Sequence, residues 1–168
     1  EAEKYEYEQY AISRRGLIID IYKQNRKPVN AFSNLKSSNA LLYVMAGIYM
    51  RSKGLDDCLL INENGNIIEA TSSNLFVYKD KALFTPSLED GCVMGVMRDQ
   101  VIRLALKEHI TVFEDCTLKS SDLLNADEIF LTNAVKGIQW VVAYKQKRYF
   151  NKLAKTLTEK LNEAAYNS

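Results

Sequence analysis

One histidine, two prolines and three cysteines are all that 168 residues contain of those types, and each scarcity closes off a class of function. A single imidazole cannot build a multi-histidine metal site or an HExxH helix, and His109 lies in a polar stretch that reads as an exposed helix end. No metal is expected. Cys58, Cys92 and Cys116 lie far apart without a CxxC pair, which argues against a zinc ribbon and a disulfide framework and points to the reducing cytoplasm. An excess of one charge is missing too. The 22 Lys and Arg nearly cancel the 21 Asp and Glu, leaving a formal +1, so neither nucleic acid nor an anionic membrane is the expected partner. No apolar run reaches transmembrane length, and the opening Glu1-Ala2-Glu3-Lys4-Tyr5-Glu6-Tyr7 is acidic where a secretory signal is basic and then apolar. Walker and GxGxxG loops are absent, so a nucleotide phosphate is not indicated. There is no internal repeat and no Gly- or Ser-rich linker, which makes one domain the default. Beginning on Glu1 without a methionine, the chain reads as starting inside a longer gene product.

What is present is a sequence 47% hydrophobic, ample for a packed core, arranged as mixed α and β. Leu17-Ile18-Ile19 with Ile21 and Tyr22 marks a first strand, and the polar run from Gln24 to Asn30, broken by Pro28, predicts a loop. Asn39 is the expected N-cap of a helix that runs to about residue 53 and stops at Gly54. Four short strands follow at 58–62, 67–71, 75–78 and 82–85, separated by turn residues in the manner of a β-meander. A helix over 96–107, a strand at 111–114 and a short helix over 119–125 capped near Ser120 or Ser121 come next. Strands at 128–132 and 139–144 and a charged helix over 151–165 complete the order.

Chemistry concentrates where strands meet loops. Lys36 stands between the first strand and first helix among small hydroxyl residues. It is either a solvated loop lysine or an amine available for Schiff-base chemistry. Glu69 follows Ile67 and Ile68 and precedes Ala70. A carboxylate in that company either faces water from an edge strand or is buried against a cation, because an unpaired buried charge is costly. Thr71-Ser72-Ser73-Asn74 offers short polar side chains that can bind a ligand or cap their own turn. Gly95-Val96-Met97 opens a helix, where unpaired N–H groups and the macrodipole suit an anion such as a phosphate.

Taken in order, these segments resemble the large, C-terminal domain of the class IV, or fold-type IV, pyridoxal-phosphate enzymes. That family includes branched-chain and D-amino-acid aminotransferases and aminodeoxychorismate lyase. The resemblance spans Lys36 to Val141. It rests on Lys36-Ser37-Ser38-Asn39, Glu69 to Phe76, Thr85-Pro86, Gly95 to Arg98 and Asp127-Glu128-Ile129-Phe130-Leu131-Thr132. It implies an α/β, mixed α+β domain of the D-amino-acid-aminotransferase-like fold, a pseudo-barrel sheet with flanking helices over residues 16–168. Residues 1–15 would be an interdomain connection or an N-terminal extension, with Tyr5, Tyr7 and Tyr10 packing on the missing half or on a neighbouring subunit. A smaller N-terminal domain of the family has no match in this chain.

The resemblance also implies pyridoxal 5′-phosphate as cofactor, with Lys36 as Schiff-base lysine and acid/base, and Glu69 as partner of the pyridine nitrogen. Val96 and Met97 would hold the phosphate through backbone N–H groups, and Val93 would pack on the ring. Ser73, Thr132 and Asn133 fall near the cofactor, and Asn133 and Ala134 near the substrate carboxylate. Ala134 stands where several aminotransferases carry a phosphate-binding hydroxyl, so Thr132 or Ser73 has to compensate. Leu41 replaces a tyrosine typical of branched-chain enzymes. The implied activity is amino transfer between an amino acid and a 2-oxo acid in a cytoplasmic homodimer. The alternatives are the lyase, which Asn39 and Asn133-Ala134 favour, and a cofactor-binding or interaction domain without catalysis.

Overall fold

The computed structural model describes residues 9–166 and orders them as β1 (Leu17–Lys27), α1 (Leu41–Ser52), β2 (Asp57–Asn62), β3 (Ile67–Ala70), β4 (Asn74–Lys79) and β5 (Ala82–Pro86). These are followed by α2 (Val96–Lys107), β6 (Thr111–Cys116), α3 (Ser120–Leu124), β7 (Glu128–Asn133), β8 (Gly137–Tyr144), β9 (Lys147–Arg148) and α4 (Lys152–Tyr166). A 3-10 turn at Leu88–Asp90 lies between β5 and α2. The strands join in the order β3-β2-β1-β8-β7-β4-β5-β6, and β3 also pairs with β4. That second pairing bends β3, β2, β1, β8, β7 and β4 into a closed ring, with β5 and β6 as an outward extension. The pseudo-barrel expectation is met. Parallel pairs at β1–β2, β1–β8 and β5–β6 make the sheet mixed.

Side chains on a strand alternate between faces, so the barrel sorts its apolar residues by parity. Leu59, Ile61, Leu75, Val77, Ile129 and Leu131 fill the interior. Their neighbours Phe76 and Phe130 point outward under α2 and α4, while Cys58 and Leu60 lie under α1. Burial on both faces is why these strands read as continuous hydrophobic runs.

Several boundaries differ from expectation. β1 continues through Gln24-Asn25-Arg26-Lys27, which the polar composition marks as loop, because Lys27 still pairs in register with Asn62 after a bulge. Asn39 does not cap α1. Ala40 occupies that position without a side-chain bond, and the Asn39 side chain lines the cavity described below. α3 is capped at Lys119, where Asp122 accepts from the Lys119 N–H, one residue ahead of the expected serines. β9 has no counterpart in the sequence reading. Exposed His109 ends α2, as expected.

Tyr5 and Tyr7 lie outside the described residues. Tyr10 does not face away from the domain. It donates to the Ala134 carbonyl at 2.9 Å, and its backbone is clasped by Asn162 of α4 through two bonds of 2.9 and 2.8 Å. Its ring covers Gly137, which has φ +68° and where an added Cβ would stand 2.7 Å from the ring. Gly137→Ala is therefore expected to cost about 1–2 kcal/mol from the left-handed backbone alone, plus a steric share. Urea unfolding of that variant and of Gly137→Ala/Tyr10→Ala separates the two, because only the steric share is relieved in the double variant.

Candidate active site

At one end of the barrel a cavity of about 950 Å³ opens between the Lys36 loop, α1, the β3–β4 turn, the start of α2 and the β7–β8 turn. Its lining includes each site residue expected from the sequence: Lys36, Glu69, Ser73, Val93, Val96, Met97, Thr132, Asn133 and Ala134. Residues separated by nearly a hundred positions thus meet because ring closure brings β3, β4 and β7 side by side. In that ring Asn74 pairs with Glu69 on one side and Thr132 on the other.

Glu69 is buried, not an edge carboxylate in water. A one-residue slip between Leu60↔Glu69 and Ile61↔Ile67 leaves an extra residue in β3, which sets Ile68 beside Leu60 on the α1 face of the sheet. The Lys27 ammonium donates to Glu69 Oε1 at 2.7 Å, the Tyr43 hydroxyl donates to the same oxygen at 2.7 Å, and the Val93 N–H donates to Oε2 at 2.8 Å. Lys27 also donates to the Ser33 carbonyl at 2.9 Å and lies 5.6 Å from the Tyr43 ring centroid. Burial, and then the charge of Glu69, push the Tyr43 phenol upward, so it keeps its proton and acts as donor.

Neither Lys27 nor Tyr43 was singled out by sequence reasoning. Lys27 is hidden in a run of polar residues that reads as loop. Tyr43 sits on a helix whose apolar face accounts for it without chemistry. The only signal was indirect: Glu69 in an apolar strand demands a cation, and nothing in the sequence says which.

Lys36 contrasts with Lys27. It is exposed at the cavity and, among the described residues, has no hydrogen bond or ion pair. An ammonium fixed by a carboxylate and a carbonyl is a poor nucleophile, whereas an unengaged amine at a cavity wall is available to an electrophile. Of these two lysines, Lys36 is the one free to react; a third, Lys136, lines the cavity from the β7–β8 turn. Its loop is pinned by Asn34, which donates to the carbonyls of Leu88 at 2.7 Å and Cys92 at 2.8 Å and accepts from Met94 N–H at 2.9 Å. Cys92 lies next to these atoms, but burial pushes its thiol up to about 11, so it stays protonated and offers no competing nucleophile.

The opposite wall suits an anion. α2 starts at Val96 after Gly95, which makes no side-chain cap, so the first N–H groups of this helix face the cavity without an internal acceptor. A side chain at Gly95 would collide with the Asn74 amide oxygen, while the Asn74 nitrogen donates to the Val93 carbonyl at 2.7 Å. Only glycine permits that approach. Thr132, fully buried at the same wall, has a hydroxyl with no partner among the described residues. It is a buried polar atom of the kind that a ligand oxygen satisfies.

Ser73 and Asn133 are differently placed. The Asn133 amide donates to Ser73 Oγ at 2.9 Å, and its oxygen accepts from the N–H groups of Val135 and Lys136. The Asn133 side chain therefore shapes the β7–β8 turn, and Ala134 presents backbone at the rim. An unengaged amine, an anchored carboxylate, an open helix N-terminus and an unpartnered hydroxyl fit a group with an electrophilic carbon, a basic ring nitrogen and a phosphate.

Residues 2–144 match the family model described as amino-transferase class IV. A curated relative, the putative branched-chain-amino-acid aminotransferase of Methanocaldococcus jannaschii, is 35% identical over 139 residues, which is 82% of this chain and 48% of that protein. The crystal structure of a putative 4-amino-4-deoxychorismate lyase from Legionella pneumophila aligns with a TM-score of 0.83 at 28% identity, covering 92% of this chain and 58% of that one. The branched-chain amino acid aminotransferase of Thermobaculum terrenum in its PLP-form gives a TM-score of 0.85 over 90% of this chain and 52% of its own. At 22% identity that likeness concerns the fold alone. The chain spans about half the length of these relatives.

Proposed function

The chain belongs to the class IV aminotransferases, and on that premise we propose that it binds pyridoxal 5′-phosphate and takes part in amino transfer between an amino acid and a 2-oxo acid. The observation that carries the reading is the contrast between two of the three lysines that line one cavity: Lys27 is locked to Glu69 while Lys36 stands unengaged in the loop facing it. When bound, the cofactor supplies an aldehyde for a lysine amine and a protonated ring that accepts the electron pair left at the substrate α-carbon.

Each residue has a part in this reading. Lys36 would hold the cofactor and would move a proton at the substrate α-carbon. Glu69 offers the remaining capacity of its carboxylate to the ring nitrogen. The Val96 and Met97 N–H groups and the Thr132 hydroxyl hold the phosphate, Thr132 supplying the hydroxyl that Ala134 lacks. Val93 covers the ring. Ser73 and Asn133 fix the turn from which Ala134 meets the substrate carboxylate. In this reading the described residues from 16 onward are the cofactor-binding domain. Free Cys58, Cys92 and Cys116 suit a reducing cytoplasm, and a homodimer is the expected assembly. Among the described residues no helix is long and apolar enough to cross a membrane.

The lyase remains the second reading, because Asn39 and the Asn133-Ala134 pair line the cavity. Dependence of turnover on an added 2-oxo acid separates the two, being required for transfer and irrelevant to pyruvate elimination.

The deciding experiment for the cofactor is borohydride reduction of the full-length protein loaded with pyridoxal phosphate, followed by peptide mapping. The expected outcome is one phosphopyridoxyl group, on Lys36. A label on Lys27, or none, overturns the assignment.

A further inference from the structure

We infer that Lys27 is a positioning residue that holds Glu69 charged and aimed at the ring nitrogen of the bound cofactor. This inference rests on the cofactor reading above. Lys27 and Glu69 side chains are only 10% and 3% exposed, and desolvating both charges is expensive enough that an apolar pair of similar volume usually stabilises a fold as well or better. The pair is placed where its charge has a use, since Glu69 lines the cavity.

Geometry says what that use is. Oε1 is saturated by the Lys27 ammonium and the Tyr43 hydroxyl, and the Val93 N–H takes one side of Oε2. A carboxylate oxygen accepts more than one hydrogen bond, so Oε2 keeps capacity toward the cavity. Three donors from β1, α1 and the loop before α2 thus hold the carboxylate in one orientation, and only Lys27 among them brings a counter-charge. Lys27 is itself fixed by the Ser33 carbonyl, so it cannot swing out to become a second amine nucleophile. A carboxylate kept anionic and oriented recognises a protonated ring nitrogen. One left without its cation in a buried site either takes up a proton or turns toward water, and either change removes that recognition.

The test is the ratio of affinities for pyridoxal phosphate and 1-deazapyridoxal phosphate, in which C–H replaces the ring nitrogen, measured by quenching of protein fluorescence on the full-length protein. A charge-assisted hydrogen bond is worth about tenfold or more in binding, so the wild type is expected to prefer the nitrogen ring by about that factor. Lys27→Gln, which keeps a donor without the charge, and Lys27→Met are expected to bring the ratio within about twofold. Lys27→Arg is expected to restore it. A purely structural lysine would weaken both ligands together and leave the ratio alone. Lys27→Gln guards against Lys27→Met failing to fold. If the wild type discriminates and the neutral variants discriminate equally, the inference falls while the cofactor reading stands. If the wild type binds both equally or neither, the pairing of Glu69 with the ring falls, and the role of Lys27 with it.

Discussion

Lys36→Ala is expected to lower turnover by about 10³-fold or more, since both covalent attachment and the proton at the α-carbon are lost together. The same substitution is expected to change folding stability by no more than about 0.5 kcal/mol, because the side chain is exposed and makes no hydrogen bond or ion pair among the described residues. Turnover with saturating cofactor and urea unfolding are the paired measurements. An active Lys36→Ala would move the chemistry to another amine. A large fall in stability would mean that the lysine holds its loop together, which is the part the structure gives to Asn34 through the Leu88 and Cys92 carbonyls.

Glu69→Gln has the opposite signature, large in both measurements. Removing the charge leaves the Lys27 ammonium buried with only neutral oxygens to face, and breaking one side of a buried ion pair costs about 3–5 kcal/mol. The amide nitrogen also meets a donor in either orientation, Lys27 and Tyr43 at one position or the Val93 N–H at the other. Turnover is expected to fall roughly 10²–10³-fold, the scale on which loss of one preorganised electrostatic group is felt. The double variant Lys27→Met/Glu69→Gln is expected to recover at least half of the lost stability, since the stranded charge is gone, and none of the turnover. Recovery of turnover in the double variant would show that Glu69 is needed only to neutralise Lys27.

The contrast between these residues explains how much the sequence discloses. β2, β4 and β7 are legible because both of their faces are buried, so their composition is apolar without interruption. The end of β1 is not legible, because Gln24 to Arg26 are solvated and only the pairing of Lys27 with Asn62 makes them strand. Lys36, Glu69 and Val96 can be picked out because their local surroundings mark them: a loop, an apolar strand, a helix start. Lys27 and Tyr43 matter through a partner 42 and 26 positions away, and no local pattern carries that distance. Asn133 lines the cavity, but its amide is spent on Ser73 and on its own turn. Asn39 was read as a cap because its type suits one, whereas the helix begins two residues later.

Closing β3 onto β4 also bears on how the domain behaves in a crowded solution. Once the ring is shut, β6 is the long strand among the described residues with a neighbour on one side only, along β5. Unpaired strand edges invite other chains to add on, so intermolecular sheet growth has this route in particular. Phe113 is stacked on Phe84 at 5.0 Å, Glu114 pairs with Arg98 at 3.7 Å, and exposed Asp115 adds to the edge a carboxylate with no ion pair among the described residues. Like charges brought together across such an edge oppose strand addition between copies, so Asp115 is placed to act against it.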